Sequence, residues 1–184
     1  MKYRFEFIDL GGGMGISYNN QQKKLNYKKY YLAIKKFLNK YKSKIIFEPG
    51  RSIIGNTGIL ITKIIYIKKS GKKNFIILDA AMNDLMRPAL YGAIHKIIPS
   101  LKRDKISYEN HEFVGPICES TDSFLNLKKF QELREDEIIV ICDVGAYGMS
   151  LSSNYNLRPK PIELLIKGSK IKVIKKRQRH KDFI

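Results

Sequence analysis

Cysteine is nearly absent from this 184-residue chain: only Cys118 and Cys142 occur. Two cysteines cannot build a disulfide framework, which favours a reducing compartment. The opening stretch, Met1-Lys2-Tyr3-Arg4-Phe5-Glu6, lacks the apolar core of a signal peptide. Residues 53–67 are the most apolar region, yet Asn56, Thr57, Lys63 and glycines interrupt them, so no membrane span is expected. The cytoplasm is the expected location. The three histidines, His95, His111 and His180, lack the spacing of a ligand set, so no metal is expected. Acidic residues are scarce too, 17 against 35 basic ones, for a net charge of +18. Such an excess invites a nucleic-acid partner. Against that, 27 of the 35 basic residues are lysines scattered along the chain, and isoleucine is equally abundant. A coding bias toward AT-rich codons produces both excesses without any partner. Only residues 175–181 form a basic cluster, which a solvated tail explains equally well. Aromatics do not alternate with basic residues as on a single-strand-binding surface. Neither nucleic acid nor a membrane is an expected partner.

With 43% hydrophobic and 28% charged residues, the chain has the composition of a soluble globular protein. A strand expected over residues 4–10 runs into Gly11-Gly12-Gly13. Tyr27, Tyr30, Tyr31, Ile34, Leu38 and Tyr41 then recur at helical spacing, with lysines mostly opposite. That predicts an amphipathic helix packed on a sheet, its tyrosines at the core or rim. A second strand, Lys44-Ile45-Ile46, ends in Phe47-Glu48-Pro49-Gly50-Arg51. One strand-helix-strand unit with parallel strands places both loops on the same sheet edge. Glycine-rich backbone beside an arginine suits a phosphate, as in the late loops of a (β/α)8 barrel. Beyond Arg51 the chain becomes β-rich. Strands are expected over residues 59–67 and 74–78 as a hairpin, then at 112–114, 137–142, 162–166 and 170–174, the last two joined at Gly168-Ser169. The predicted fold is α/β, then mainly β. Residues 1–56 would form the last βα units of a barrel, and residues 57–184 an antiparallel β-rich domain. A whole barrel needs about 250 residues, so most of one would lie outside this chain.

Four further stretches are dense in reactive side chains. Residues 79–91 carry MNDLMRPALY, with Arg87 and Tyr91 four apart. Residues 115–122 read GPICESTD, residues 143–149 DVGAYGM, and residues 153–161 SNYNLRPKP. Asp84 and Asp122 are expected only to cap helices or turns, and Cys142 to be an inert core thiol. Together with GGGMGISY and FEPGRSI, these motifs closely resemble the C-terminal part of the diaminopimelate decarboxylases, which use pyridoxal 5'-phosphate. Each motif alone is weak; in this order and spacing they are specific.

The resemblance implies a cofactor-binding barrel and a homodimer whose active sites are shared between chains. The implied reaction is meso-2,6-diaminopimelate to L-lysine and CO2, the last step of lysine biosynthesis. It implies that Gly12, Gly13, Gly50 and Arg51 cradle the cofactor phosphate, with Pro49 in the same loop, and that Glu48 faces the pyridine nitrogen. Arg51, Arg87 and Tyr91 would clamp the substrate's distal carboxylate, and Glu119 would accept its distal ammonium. Cys118 would be the proton donor and Tyr147 a contact to cofactor and substrate. The family carries its cofactor on a lysine of an early barrel strand, and no lysine here sits in a matching motif. A fragment, a split-gene product or one piece of a complementing pair is therefore expected, inactive alone. A related ornithine- or arginine-type decarboxylase is the nearest alternative, although it needs no clamp for a distal carboxylate. A non-catalytic remnant or basic binding module is another.

Overall fold

A computed structural model describes residues 5–18 and 25–183. Arg4, at the start of the first expected strand, lies outside them. That strand is β1 (Phe7–Asp9), followed by α1 (Tyr27–Tyr41) and β2 (Lys44–Ile46). β1 and β2 pair in parallel, Phe7 opposite Lys44 and Asp9 opposite Ile46, as one βαβ unit requires. Asn26 starts α1 by accepting the Lys29 N–H at 2.9 Å, and Lys42 ends it in the left-handed conformation, φ 52°. Its tyrosine face does not find the expected core: no residue of α1 is buried, and Tyr27 is 63% exposed. Tyr30 meets Phe47 at a ring separation of 6.1 Å. Two short strands offer too little surface to cover a fifteen-residue helix.

A five-residue helix, α2 (Gly50–Ile54), and a 3-10 turn lead into the main sheet. Its strands are β3 (Leu60–Ser70), β4 (Lys73–Leu78), β5 (Ile97–Pro99), β7 (Asn110–Val114), β8 (Ser123–Leu127) and β10 (Ile138–Ile141), in the order β5-β10-β3-β4-β7-β8. The expected hairpin is β3–β4, turning at Gly71 with φ 59°. The expectation of an antiparallel domain needs correcting, because the sheet is mixed: β4 and β7 run parallel, Lys73 opposite Asn110 and Ile77 opposite Val114. After β4 the chain passes through α3 (Arg87–Tyr91), places β5 on the far edge and forms β6 (Ile106–Ser107) before returning beside β4. Parallel neighbours need such a long crossover. β6 pairs with β9 (Phe130–Gln131) in a small flanking ribbon.

One face of the sheet carries the core. β4 alternates strictly, burying Asn74, Ile76 and Leu78, the period-two pattern of a strand with one packed face. Ile64, Phe113, Ile139 and Ile141 join them with no exposure, and Leu85 and Phe124 close the cluster. The last strands form the hairpin β11 (Glu163–Lys167) and β12 (Lys170–Lys175), where every strand residue but Glu163 is exposed. Among the described residues, no helix is long and apolar enough to cross a membrane.

Candidate functional site

The first two motifs meet through backbone. Asp9 accepts the Gly11 N–H at 2.7 Å, and Glu48 donates its N–H to the Gly11 carbonyl at 2.9 Å. A Cβ on Gly12 would lie 2.3 Å from the Glu48 carbonyl oxygen, so only glycine lets these loops touch. Gly13 has φ +80° and open space around it. Pro49 precedes α2 and Gly50 begins it. The carboxylate of Glu48 and the guanidinium of Arg51 are exposed, and neither enters an ion pair among the described residues.

The turn after β10 is clamped to the same place. Val144 donates to Gly58 and Gly145 to Gly55, each at 3.0 Å. Gly145 packs so tightly that an added Cβ would lie 2.0 Å from the Ile54 carbonyl oxygen. Asp143 and Tyr147 both take left-handed backbone, φ 61°, a conformation that costs a bulky residue about 1–2 kcal/mol. Strain of this kind concentrates at functional sites. It leaves the Tyr147 ring 5.5 Å from the Arg51 guanidinium carbon. Gly12, Gly13, Glu48, Pro49, Gly50, Arg51 and Tyr147 are thus brought onto one group of adjoining loops.

A second group forms beyond β4. Asp79 accepts from the Thr62 hydroxyl at 2.5 Å and the Lys63 N–H at 2.8 Å, which fixes where the next loop begins. Asp122 is buried and accepts from Met82 N–H at 2.7 Å and Ile117 N–H at 2.9 Å, stapling that loop to the GPICESTD turn. Asp84 accepts the Ala81 N–H at 2.9 Å. Both carboxylates act as turn caps, as expected. Burial raises the pKa of each above its ordinary value, opposed by those N–H donors and by Arg158. Arg158 donates to the Asn83 side chain at 3.0 Å and to the Asp79 carbonyl at 2.5 Å. Cys118 and Glu119 sit exposed on the GPICESTD turn. Among the described residues, no hydrogen bond, ion pair or ring contact joins either of them to Arg51, Arg87 or Tyr147.

Arg87 is held by a third set of contacts. It begins α3 and is only 6% exposed. One guanidinium nitrogen is 2.9 Å from His95 Nε2, and its carbon is 4.6 Å from the Tyr18 ring. His95 Nδ1 is 2.9 Å from the Cys142 carbonyl. A surface pair between Arg87 and Asp84 is excluded, since Asp84 faces Arg158 at 3.9 Å. Tyr91 ends the same helix 67% exposed. Cys142 is half-buried rather than fully within the core, and burial raises its thiol pKa. Sequence reasoning assigned no role to Tyr18, His95 or Arg158 in holding the site, although Tyr18 and Arg158 lie inside the quoted motifs; Asp122, inside another, was expected only to cap a turn. Among the described residues, no group of three or more His, Cys, Asp or Glu is placed to hold a metal.

Glycine-rich backbone lies on adjoining loops with an arginine and a carboxylate that enter no ion pair among the described residues, beside a mixed sheet domain, and such a combination suits an anion. Residues 9–145 match the family described as pyridoxal-dependent decarboxylase, C-terminal sheet domain, and the chain belongs to that family. Within it, the chain is similar to the diaminopimelate decarboxylase of Aquifex aeolicus, with 41% identity over 184 residues covering 99% of this chain and 43% of that protein. The Helicobacter pylori enzyme of the same name is 44% identical over 179 residues, covering 96% of this chain and 44% of its own length. A crystal structure of the H. pylori enzyme complexed with L-lysine superposes with a TM-score of 0.87 at 44% identity, covering 96% of this chain and 43% of that one. The chain therefore spans under half the length of these relatives.

Proposed function

We propose that this chain is the C-terminal part of a pyridoxal-phosphate-dependent diaminopimelate decarboxylase, converting meso-2,6-diaminopimelate to L-lysine and CO2 in the cytoplasm. The observation that carries the reading is the arrangement around Arg51: its guanidinium lies against Tyr147 while its charge, and that of Glu48, stay uncommitted. The residues suit the cofactor chemically. The N–H groups of Gly12 and Gly13 donate to none of the described residues, and together with Arg51 they make a cradle for a phosphate. Glu48 supplies an anion that keeps a pyridine nitrogen protonated. Pyridoxal phosphate, when bound, supplies the electron sink for the pair left as CO2 departs.

The chain's own residues then divide the substrate. Arg51, Arg87 and Tyr91 hold its distal carboxylate, and an arginine fork binds a carboxylate in a way lysine cannot copy. Arg87 favours this substrate class over ornithine-type ones, because it is a buried cation with no carboxylate partner among the described residues. Glu119 accepts the distal ammonium, and Cys118 returns the proton to the carbon that loses CO2. As Cys118 and Glu119 stand apart from the first group of loops, they serve a site completed by another chain, either the second copy in a homodimer or a complementing N-terminal half. Residues 1–56 belong to the barrel and residues 57–184 to the sheet domain. The test is co-expression with the portion of the H. pylori enzyme that precedes the matched stretch, followed by a lysine-release assay. Lysine and CO2 from meso-diaminopimelate are expected from the pair and none from this chain alone. Turnover of ornithine but not meso-diaminopimelate would overturn the reading.

A further inference from the structure

Arg87 is the only buried arginine among the described residues. A buried cation is costly unless its donors are used and its charge is answered. Here one N–H meets His95 Nε2 at 2.9 Å, and no carboxylate among the described residues answers the charge. The state of His95 therefore decides how the guanidinium is held. That ring is 1% exposed. Its Nδ1 faces the Cys142 carbonyl at 2.9 Å, and a carbonyl only accepts, so Nδ1 carries the hydrogen. Its Nε2 faces a guanidinium N–H, which only donates, so Nε2 offers a lone pair. One protonation state satisfies both ends: the neutral Nδ1–H tautomer. Tyr18 packs against both partners, edge-to-face on His95 at 5.1 Å and 71°, and 4.6 Å from the Arg87 guanidinium carbon. These side chains come from the loop after β1, from α3 and from the segment before β5.

We infer that His95, backed by Tyr18, is a positioning residue for Arg87: its neutral imidazole accepts one guanidinium N–H and leaves the other donors directed at the substrate's distal carboxylate. The inference rests on the substrate proposed above. A proton added at Nε2 would oppose N–H to N–H and cation to cation, and would release Arg87. The charged and titratable groups facing the ring are Arg87 on α3, Tyr18, and Cys142 and Asp143 at the end of β10. Burial first, then the Arg87 charge, holds the His95 pKa below its ordinary value, against the Cys142 carbonyl and Asp143, which raise it.

Two measurements test this. In the isolated chain, long-range proton–nitrogen NMR should show His95 as the Nδ1–H tautomer, still neutral at about pH 6.5, where a free imidazole is half protonated. The Arg87 side-chain Nε–H signal should be sharp and slow to exchange. His95→Leu should broaden it, and His95→Gln should preserve it, because an amide donates to Cys142 and accepts from Arg87. In the active co-expressed pair, His95→Leu should raise KM for meso-diaminopimelate about tenfold or more while changing kcat less, with His95→Gln recovering most of the loss. A protonated or Nε2–H ring, or an Arg87 signal indifferent to His95→Leu, overturns the inference even where the pair is inactive. An inactive wild-type pair, by contrast, strikes at the substrate reading. Equal KM losses in both variants would make His95 mere scaffold and overturn the inference as well.

Discussion

The six-stranded sheet and the pieces flanking it draw on the same residue types, yet only the sheet closes a core. Ile64, Leu78, Phe113, Ile139 and Ile141 have no exposure at all. In the terminal hairpin, Ile166 is 60% exposed, Ile171 66% and Val173 49%, and α1 buries nothing. A lone two-stranded hairpin is marginal in water, and parallel strands such as β1 and β2 normally have both faces covered. Hydrogen bonding and a few exposed side-chain contacts therefore shape the flanks, whereas apolar burial holds the sheet. The candidate site sits on the seam: Gly12, Glu48 and Arg51 come from the lightly packed side, and Arg87 and Tyr147 from the packed one. Its first group of loops draws rigidity from the sheet, through Gly145 against Ile54 and Val144 against Gly58.

The sharpest way to break that contrast is in the core. Phe113→Ala should cost about 3–5 kcal/mol, read from urea unfolding of this chain. A loss below about 1 kcal/mol would mean the sheet is not its cooperative centre. Asp122→Ala should come next, at about 2 kcal/mol, since it strips the acceptor from Met82 N–H and Ile117 N–H. Their separation should show in proteolysis, with the GPICESTD turn cut while the sheet stays intact.

Much of this arrangement was legible in the sequence, and the gaps have physical causes. β3 and β4 followed from β-branched runs, and α1 from its period. The parallel pairing of β4 with β7 was not legible, because it depends on where a crossover of some thirty residues lands and not on either strand's pattern. β5, β6 and β9 are two or three residues long, too short to carry a period. Among the site residues, the loop glycines were readable because close approach demands them. His95 was not, since its partners are a side chain eight residues earlier and a backbone carbonyl just after β10. No spacing rule encodes a carbonyl.

Protonation sharpens the same contrast by a smaller amount. The folded chain resists a proton at His95 that the unfolded chain accepts below about pH 6.5. Stability from this group is complete above that pH and is lost as pH falls toward the lower folded value. Asp84 and Asp122 act with the opposite sign: their raised folded pKa values mean that stability present in acid is lost as pH rises above about 3.8. On the flank, the Arg179 N–H lowers the Asp182 pKa, so its contribution is present above about 3.8 and lost below. In urea melts across pH, His95→Gln should flatten the decline just below pH 6.5, and Asp182→Asn should leave that window untouched. An unchanged slope in His95→Gln would assign the decline elsewhere.

The smallest expected effect lies at Ile171, and it tests the flank directly. Ile171 faces Ile166 across the hairpin, and such a pair contributes only about 0.2–1 kcal/mol. Both residues are more than half exposed in this chain, so replacing one changes little surface on unfolding. Ile171→Thr keeps β-branching and removes apolar area, which leaves strand propensity almost unchanged. Its unfolding free energy should stay within about 0.5 kcal/mol of the wild type, with the same dependence on urea. In the co-expressed pair proposed above, a larger loss is expected if further chain covers this hairpin, because burial then makes the lost apolar ethyl arm and the added hydroxyl count. A loss above about 2 kcal/mol in the isolated chain would place the hairpin inside the same cooperative unit as Phe113. The division between a closed sheet and open flanks would then fail.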